Sequence, residues 1–183
     1  MPYSCKSSNL PEDFRISITS FGSGYVLKTI QTLPMQREKA FAFFQNPQNL
    51  FEITPDWLDF RMDACQQGEK VFEGAEYDYH IRWFGLKGKW RSRIQSYNPP
   101  CGFTDIQIAG PYTKWEHTHI FEEQGDKTLM LDSVVYRLPF SYLGRLVHAV
   151  IVKKQLDDIF CYRALKIREW VKGERNTGSI PGR

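Results

Sequence analysis

The period of the hydrophobic pattern changes three times along this chain. Over residues 24–33, Tyr25, Leu27, Thr29 and Gln31 alternate with Val26, Lys28, Ile30 and Thr32, the signature of a strand, and Pro34 ends the run. Residues 36–45 then place Ala40, Phe41 and Phe44 at helical spacing, and Asn46-Pro47 breaks that helix. A second short helix is expected over 48–52. Alternation returns in strands near 57–64, 75–84, 87–97, 103–109, 114–123 and 128–137. Gly85, Asn98-Pro99-Pro100, Gly110-Pro111 and Gly125-Asp126 mark turns between the later ones. From Ser141, a good N-cap, to about Lys172 the helical period takes over, with no proline and only Gly144 as a glycine. Leu156, Phe160, Ala164, Ile167 and Val171 form its apolar stripe.

This order predicts an α+β domain. Seven antiparallel strands cannot bury their inner face alone, and a helix of roughly 45 Å, at 1.5 Å per residue, is too long for a small core of its own. Packing the helix across a curved sheet solves both problems and leaves an internal cavity between them. The expected organisation is a polar leader over 1–22, a single domain over 23–172 and a flexible tail over 173–183.

The densest chemistry lies on the expected strand 114–123. Trp115, His117, His119 and Phe121 share one face of it, opposite Lys114, Glu116, Thr118 and Ile120. Asp105 and Gln107 alternate with Phe103 on the strand before, and Asp132 with Met130, Val134 and Tyr136 on the strand after. If these strands pair in order, the polar residues converge among aromatic rings, as in the wall of a ligand pocket. Tyr77, Tyr79, Trp83 and Trp90 extend that aromatic face, and Leu156 and Phe160 oppose it from the helix. Core packing explains the aromatic residues equally well, and mutual hydrogen bonding explains the histidines. His-x-His on one face also suits zinc, but no sequence spacing secures a third ligand, so no metal and no other cofactor is expected.

Composition removes several classes. The 183 residues are 42% hydrophobic and 25% charged, so the chain is a folded protein. A net charge of +3 is too small to argue for nucleic acid. No apolar run spans a membrane and no signal peptide is apparent, which leaves a cytoplasmic default. Cys5, Cys65, Cys101 and Cys161 form no C-x-x-C pair and are expected as free thiols. Arg82, Lys87, Lys89, Arg91 and Arg93 form an acid-free stretch, read as a solvated sheet face or a weak membrane-surface patch. Residues 140–152 are apolar nearly all round apart from Arg145 and His148, which suggests burial under the sheet or contact with a membrane or protein partner.

With these residues in place, the chain resembles the SRPBCC superfamily, which shares the Bet v 1-like, START-like helix-grip fold. It resembles most the bacterial ligand-binding, polyketide cyclase/dehydrase-like subgroup. The resemblance covers about residues 24–171 and rests on Leu33-Pro34, Ala40-Phe41 with Phe44, Asn46-Pro47 with Leu50, Gly74, Tyr77, Trp90 and Tyr97-Asn98-Pro99-Pro100. Its most specific part is Phe103-x-Asp105-x-Gln107, Gly110-Pro111, Trp115-x-His117-x-His119-x-Phe121-Glu122 and Asp132-x-Val134-x-Tyr136-x-x-Pro139. Gly144 and the stretch from Leu156 to Tyr162-Arg163 complete it. The resemblance implies a curved sheet gripping a long C-terminal helix around a cavity.

Two functions fit. The first is a binding module for an apolar or amphipathic small molecule of lipid, polyketide or isoprenoid type. The second is a cyclase or dehydratase in which His117, His119 and Asp132 move protons. No nucleophile–base pair and no glycine-rich phosphate loop is present, so binding is favoured over catalysis.

Overall fold

The computed structural model describes residues 10–62, 71–83, 85–139 and 146–177. Eight strands form one sheet: β1 (Arg15–Phe21), β2 (Gly24–Leu33), β3 (Arg61–Met62), β4 (Glu76–Trp83), β5 (Leu86–Asn98), β6 (Gly102–Ala109), β7 (Lys114–Gln124) and β8 (Lys127–Arg137). Their order is β1-β2-β8-β7-β6-β5-β4-β3, antiparallel throughout. From β4 to β8 the chain is a plain meander. The one long excursion runs from β2 to the opposite edge at β3, through α1 (Arg37–Phe44), α2 (Asn49–Glu52) and a 3-10 turn (Asp56–Leu58). After β8, a π-helical turn (His148–Val152) leads into the long helix α3 (Lys153–Thr177).

Alternation decides what each strand buries. On β8, Thr128, Met130, Asp132, Val134 and Tyr136 point inward, and Leu27, Thr29, Gln31 and Leu33 do so on β2. The expected helix stripe of Leu156, Phe160, Ala164, Ile167 and Val171 is buried at every position. Gln31 fixes the helix to the sheet, its Nε2 donating to the Ala164 carbonyl at 3.0 Å. Burying both faces in this way removes apolar surface at roughly 25 cal/mol per Å², the main force holding α3 across the sheet.

Several expectations need correction. The sheet has eight strands, not seven, because residues 15–21 of the expected leader form β1 in a hairpin with β2. Their sequence, RISITSF, is mostly polar because an edge strand leaves one face and one edge to water. The strand expected over 57–64 shrinks to Arg61–Met62 after the 3-10 turn, and residues 63–64 lie outside the described residues. The expected helix start at Ser141, with Gly144, also lies outside them. At its other end α3 continues to Thr177, so residues 173–177 are helical where a tail was expected, and 178–183 are not described.

The basic stretch around β5 is paired on the outer face. Arg91 and Arg93 bridge to Asp78 and Glu76 on the adjacent strand at 2.6 Å each, and Arg82 reaches Asp59 at 3.3 Å. The acids absent from the stretch itself arrive from its neighbours. Burial fails for part of the apolar segment: Leu146, Val150 and Ile151 are exposed, while His148 and Val152 are buried. Cysteine usage also differs. Cys161 is disulfide-bonded and Cys101 is an exposed free thiol, so the chain does not carry four free thiols. Among the described residues, no helix is long and apolar enough to cross a membrane.

Candidate functional site

Strand register builds the polar centre of the molecule. In one row across the sheet, Thr29, Asp132, His119 and Phe103 are direct neighbours on β2, β8, β7 and β6. In the next row, Leu27, Val134, His117, Asp105 and Ile94 are neighbours on β2, β8, β7, β6 and β5. Two rows, one residue pair apart on the same face, thus set the carboxylates at opposite corners of a square and the imidazoles at the other two. Gly102 permits part of this closeness: a Cβ there would lie 2.1 Å from the His119 carbonyl oxygen.

The square is tight and buried. His117 Nε2 is hydrogen-bonded to Asp132 Oδ1 at 3.2 Å, and His117 Nδ1 lies 3.8 Å from Asp105 Oδ2. His119 Nε2 lies 3.4 Å from Asp105 Oδ2. Its Nδ1 is 2.8 Å from Asp132 Oδ1 but off the N–H axis, so this is an ionic contact without an aligned hydrogen bond. Thr29 donates to the other Asp132 oxygen at 3.1 Å. Aromatic rings enclose the group: Phe103 stacks on His119 at 4.3 Å between centroids, and Phe160 meets His117 edge-on at 5.7 Å.

The two imidazoles differ electrostatically although they are neighbours. Burial pulls both toward the neutral form. For His117, the adjacent His119 adds to that pull, and the net shift is downward despite Asp132 and Asp105. For His119, the contacts to Asp105 and Asp132 outweigh burial and the net shift is upward. Burial opposes ionisation of Asp132, but the two histidines overcome it and hold that carboxyl far below its ordinary range. The cluster therefore favours the charged form at Asp132 and His119 and the neutral form at His117.

A cavity of about 200 Å³ lies between sheet and helix and opens onto one side of this square. Of the residues expected to line it, Tyr77, Tyr79, Trp90, Asp105, Trp115, His117, His119, Leu156 and Phe160 do. Three do not. Asp132 stands behind the histidines, bonded to Thr29. Gln107 braces the β6–β7 turn, donating to the Tyr112 carbonyl at 2.7 Å. Tyr136 bonds His148 Nε2 at 2.7 Å and packs against Tyr25, closer to the start of the helical segment.

Sequence reasoning missed other wall residues. Phe43, Phe44 and Leu50 enter from the β2–β3 excursion, and Tyr112 comes from the β6–β7 turn. Tyr112 had a visible signal, an aromatic residue after Gly110-Pro111; it meets Trp115 at 4.9 Å and Trp90 at 5.9 Å. Arg163, on α3, is the one wall residue with a permanent positive charge among the described residues. Asp105, His117 and His119 each offer one donor atom within 4.8 Å of the others, a spacing that would admit a small divalent cation. Of these three, His117 is already hydrogen-bonded, to Asp132.

No family model matches the chain, and no curated protein is similar to it. Solved structures do match. A protein from Arthrobacter aurescens superposes with a TM-score of 0.62 at 11% identity, covering 84% of this chain and 91% of that one. A START superfamily protein from Mycobacterium smegmatis gives 0.56 at 12% identity, covering 79% and 98%. Ara h 8.0201 gives 0.52 at 14% identity, covering 81% and 97%. The fold is the Bet v 1-like, START-like helix grip expected from the sequence.

Proposed function

We propose that this protein binds an apolar or amphipathic small molecule in the cavity between sheet and helix. The observation that carries this reading is the wall itself. Rings and aliphatic chains from four strands, α1, α2 and α3 enclose free space, and a few polar groups, Asp105, His117, His119 and Arg163 among them, reach it. A core needing only stability would have filled that space, since each unfilled void forfeits packing energy. Pockets of this composition orient a ligand by a few polar contacts and hold it by its apolar surface. At about 200 Å³ the cavity is below the usual range of roughly 300–1,000 Å³, so the ligand is small or a single chain.

Native mass spectrometry of the gently purified full chain tests this reading. A co-purifying small molecule is expected, lost on denaturation. Leu156→Trp, which places an indole in the cavity, should abolish the adduct without unfolding the protein. A homogeneous apo mass, together with no binding of medium-chain amphiphiles to the wild type, would refute the proposal.

A second reading, proton transfer in a cyclisation or dehydration, is favoured by one observation. His117 and His119 both face the cavity with proton affinities shifted in opposite directions. Asp132 would then act only by positioning, because it does not reach the cavity. Asp105 replaces it as the carboxylate on the wall. Turnover of a bound ligand, lost in His119→Gln while binding persists, would select this reading.

A further inference from the structure

The wall carries one permanent cation among the described residues, and part of its hydrogen-bonding capacity is unmet. Arg163 projects from α3 into the cavity, its Nε is buried, and that atom has no hydrogen-bond partner. Among the described residues no carboxylate forms an ion pair with it. Its guanidinium carbon lies 4.9 Å from the centroid of the Phe160 ring, which covers the cation without accepting its hydrogen bonds. Asp105 and Asp132 act on it only through space. An arginine remains charged in proteins, so leaving the buried Nε of this half-buried side chain without an acceptor is costly.

We propose that Arg163 anchors the carboxylate of a monoanionic, medium-chain organic acid, whose hydrocarbon part occupies the apolar end of the cavity. This deepens the ligand-binding reading and rests on it. Two arguments select the head group. The guanidinium fork matches the two oxygens of a carboxylate, giving short, charge-assisted contacts. Asp105 shares the wall with Arg163, so a dianionic phosphate would meet more repulsion there than a single negative charge. The third argument concerns the tail. Beyond Arg163 and the square, the wall is formed by groups such as Phe44, Leu50, Ile81 and Ile159, which favour an unbranched apolar chain over a polar ligand.

The test uses the delipidated full chain and three probes of one length: decanoic acid, methyl decanoate and decyl phosphate. Binding is followed by the fluorescence of Trp90 and Trp115, both on the wall. Wild type should bind decanoate at least about tenfold more tightly than the ester, a difference near 1.4 kcal/mol. It should also prefer decanoate to decyl phosphate. Arg163→Met should erase the preference for acid over ester while keeping ester affinity, and Arg163→Lys should retain part of it. Equal affinity of the wild type for acid and ester, tighter binding of the phosphate, or an undiminished preference in Arg163→Met would each overturn the proposal. If Arg163→Met fails to fold, the three wild-type affinities decide the matter alone. Tight ester binding without acid preference would overturn the anchor but keep the cavity function. Failure of all three probes would remove both.

Discussion

Asp132 and His119 face each other directly across the β7–β8 ladder, with Oδ1 and Nδ1 2.8 Å apart, in a part of the core that water does not reach. The same Asp132 oxygen also takes the His117 Nε2 hydrogen bond. One carboxylate thus favours the charged form of His119 and fixes the ring of His117. Asp132→Asn removes that charge and leaves His119 with Asp105 alone. Loss of one partner of a buried ion pair costs about 3–5 kcal/mol, and that loss is expected here, read as a lowered urea midpoint at pH 7 with an unchanged slope. Because Asp132 does not line the cavity, any surviving folded fraction should bind ligand normally. A loss below about 1 kcal/mol would show that the square does not work as an ion pair.

Near the start of the helical segment, His148 stacks on Tyr25 with centroids 3.4 Å apart and takes the Tyr136 hydroxyl bond on Nε2 at 2.7 Å. Burial, aided by the charge of Lys153, pushes its pKa down to about 4. In the unfolded chain an ordinary histidine titrates near 6.5. As pH falls from about 6.5 to 4, the unfolded state takes up a proton that the folded state refuses, so stability declines across that window. His119 has the opposite sign: its raised pKa gives stability that is complete below about 6.5 and is lost as pH rises through its folded value. His148→Gln keeps an acceptor for Tyr136 but cannot titrate. The pH dependence of its urea midpoint should therefore be shallower than that of the wild type between pH 6.5 and 4. Parallel curves would contradict the assignment.

Much of this arrangement was legible before any coordinates. The convergence of Asp105, His117, His119 and Asp132 was expected from alternation on condition that the three strands pair in order, but the register that sets them opposite one another was not legible. The helix stripe was legible for the same reason, since five apolar positions at helical spacing have one way to be buried. Depth from the cavity was not legible. Asp132 and Tyr136 share the inward face with His119, yet the path of the helix across the sheet, which no local pattern encodes, leaves both outside the lining. β1 was missed because an edge strand needs only weak alternation. Arg163 was hidden for a different reason: between Tyr162 and Ala164 it reads as an ordinary charged helix residue, and its burial depends on where α3 lies.

The cysteines give a test that depends on neither ligand nor catalysis. Cys101 is an exposed thiol in the β5–β6 turn, whereas Cys161 is buried on α3 and disulfide-bonded. Iodoacetamide applied to the native, unreduced chain should label Cys101 and leave Cys161 unmodified, as read by peptide mass spectrometry. Cys161 should become labelled only after reduction under denaturing conditions. Labelling of Cys161 in the native, unreduced protein would show that the crosslink does not form.

The square and a metal site make different demands on the same atoms. Asp105, His117 and His119 lie close enough to chelate, but a bound dication would need the His119 proton displaced and would stand in the field of Arg163. We expect the histidines to serve the internal ion-pair network and the ligand. Protein purified without chelators should then carry no stoichiometric zinc or iron by elemental analysis. His117→Asn or His119→Gln should cost about 1–3 kcal/mol of stability through an unsatisfied buried partner, and should weaken ligand retention modestly. Added zinc should leave the thermal midpoint unchanged, since an ion that binds only the folded state would raise it. A stoichiometric ion lost in both variants, together with a measurable turnover, would reverse the assignment: the square would be a metal centre, and the protein an enzyme.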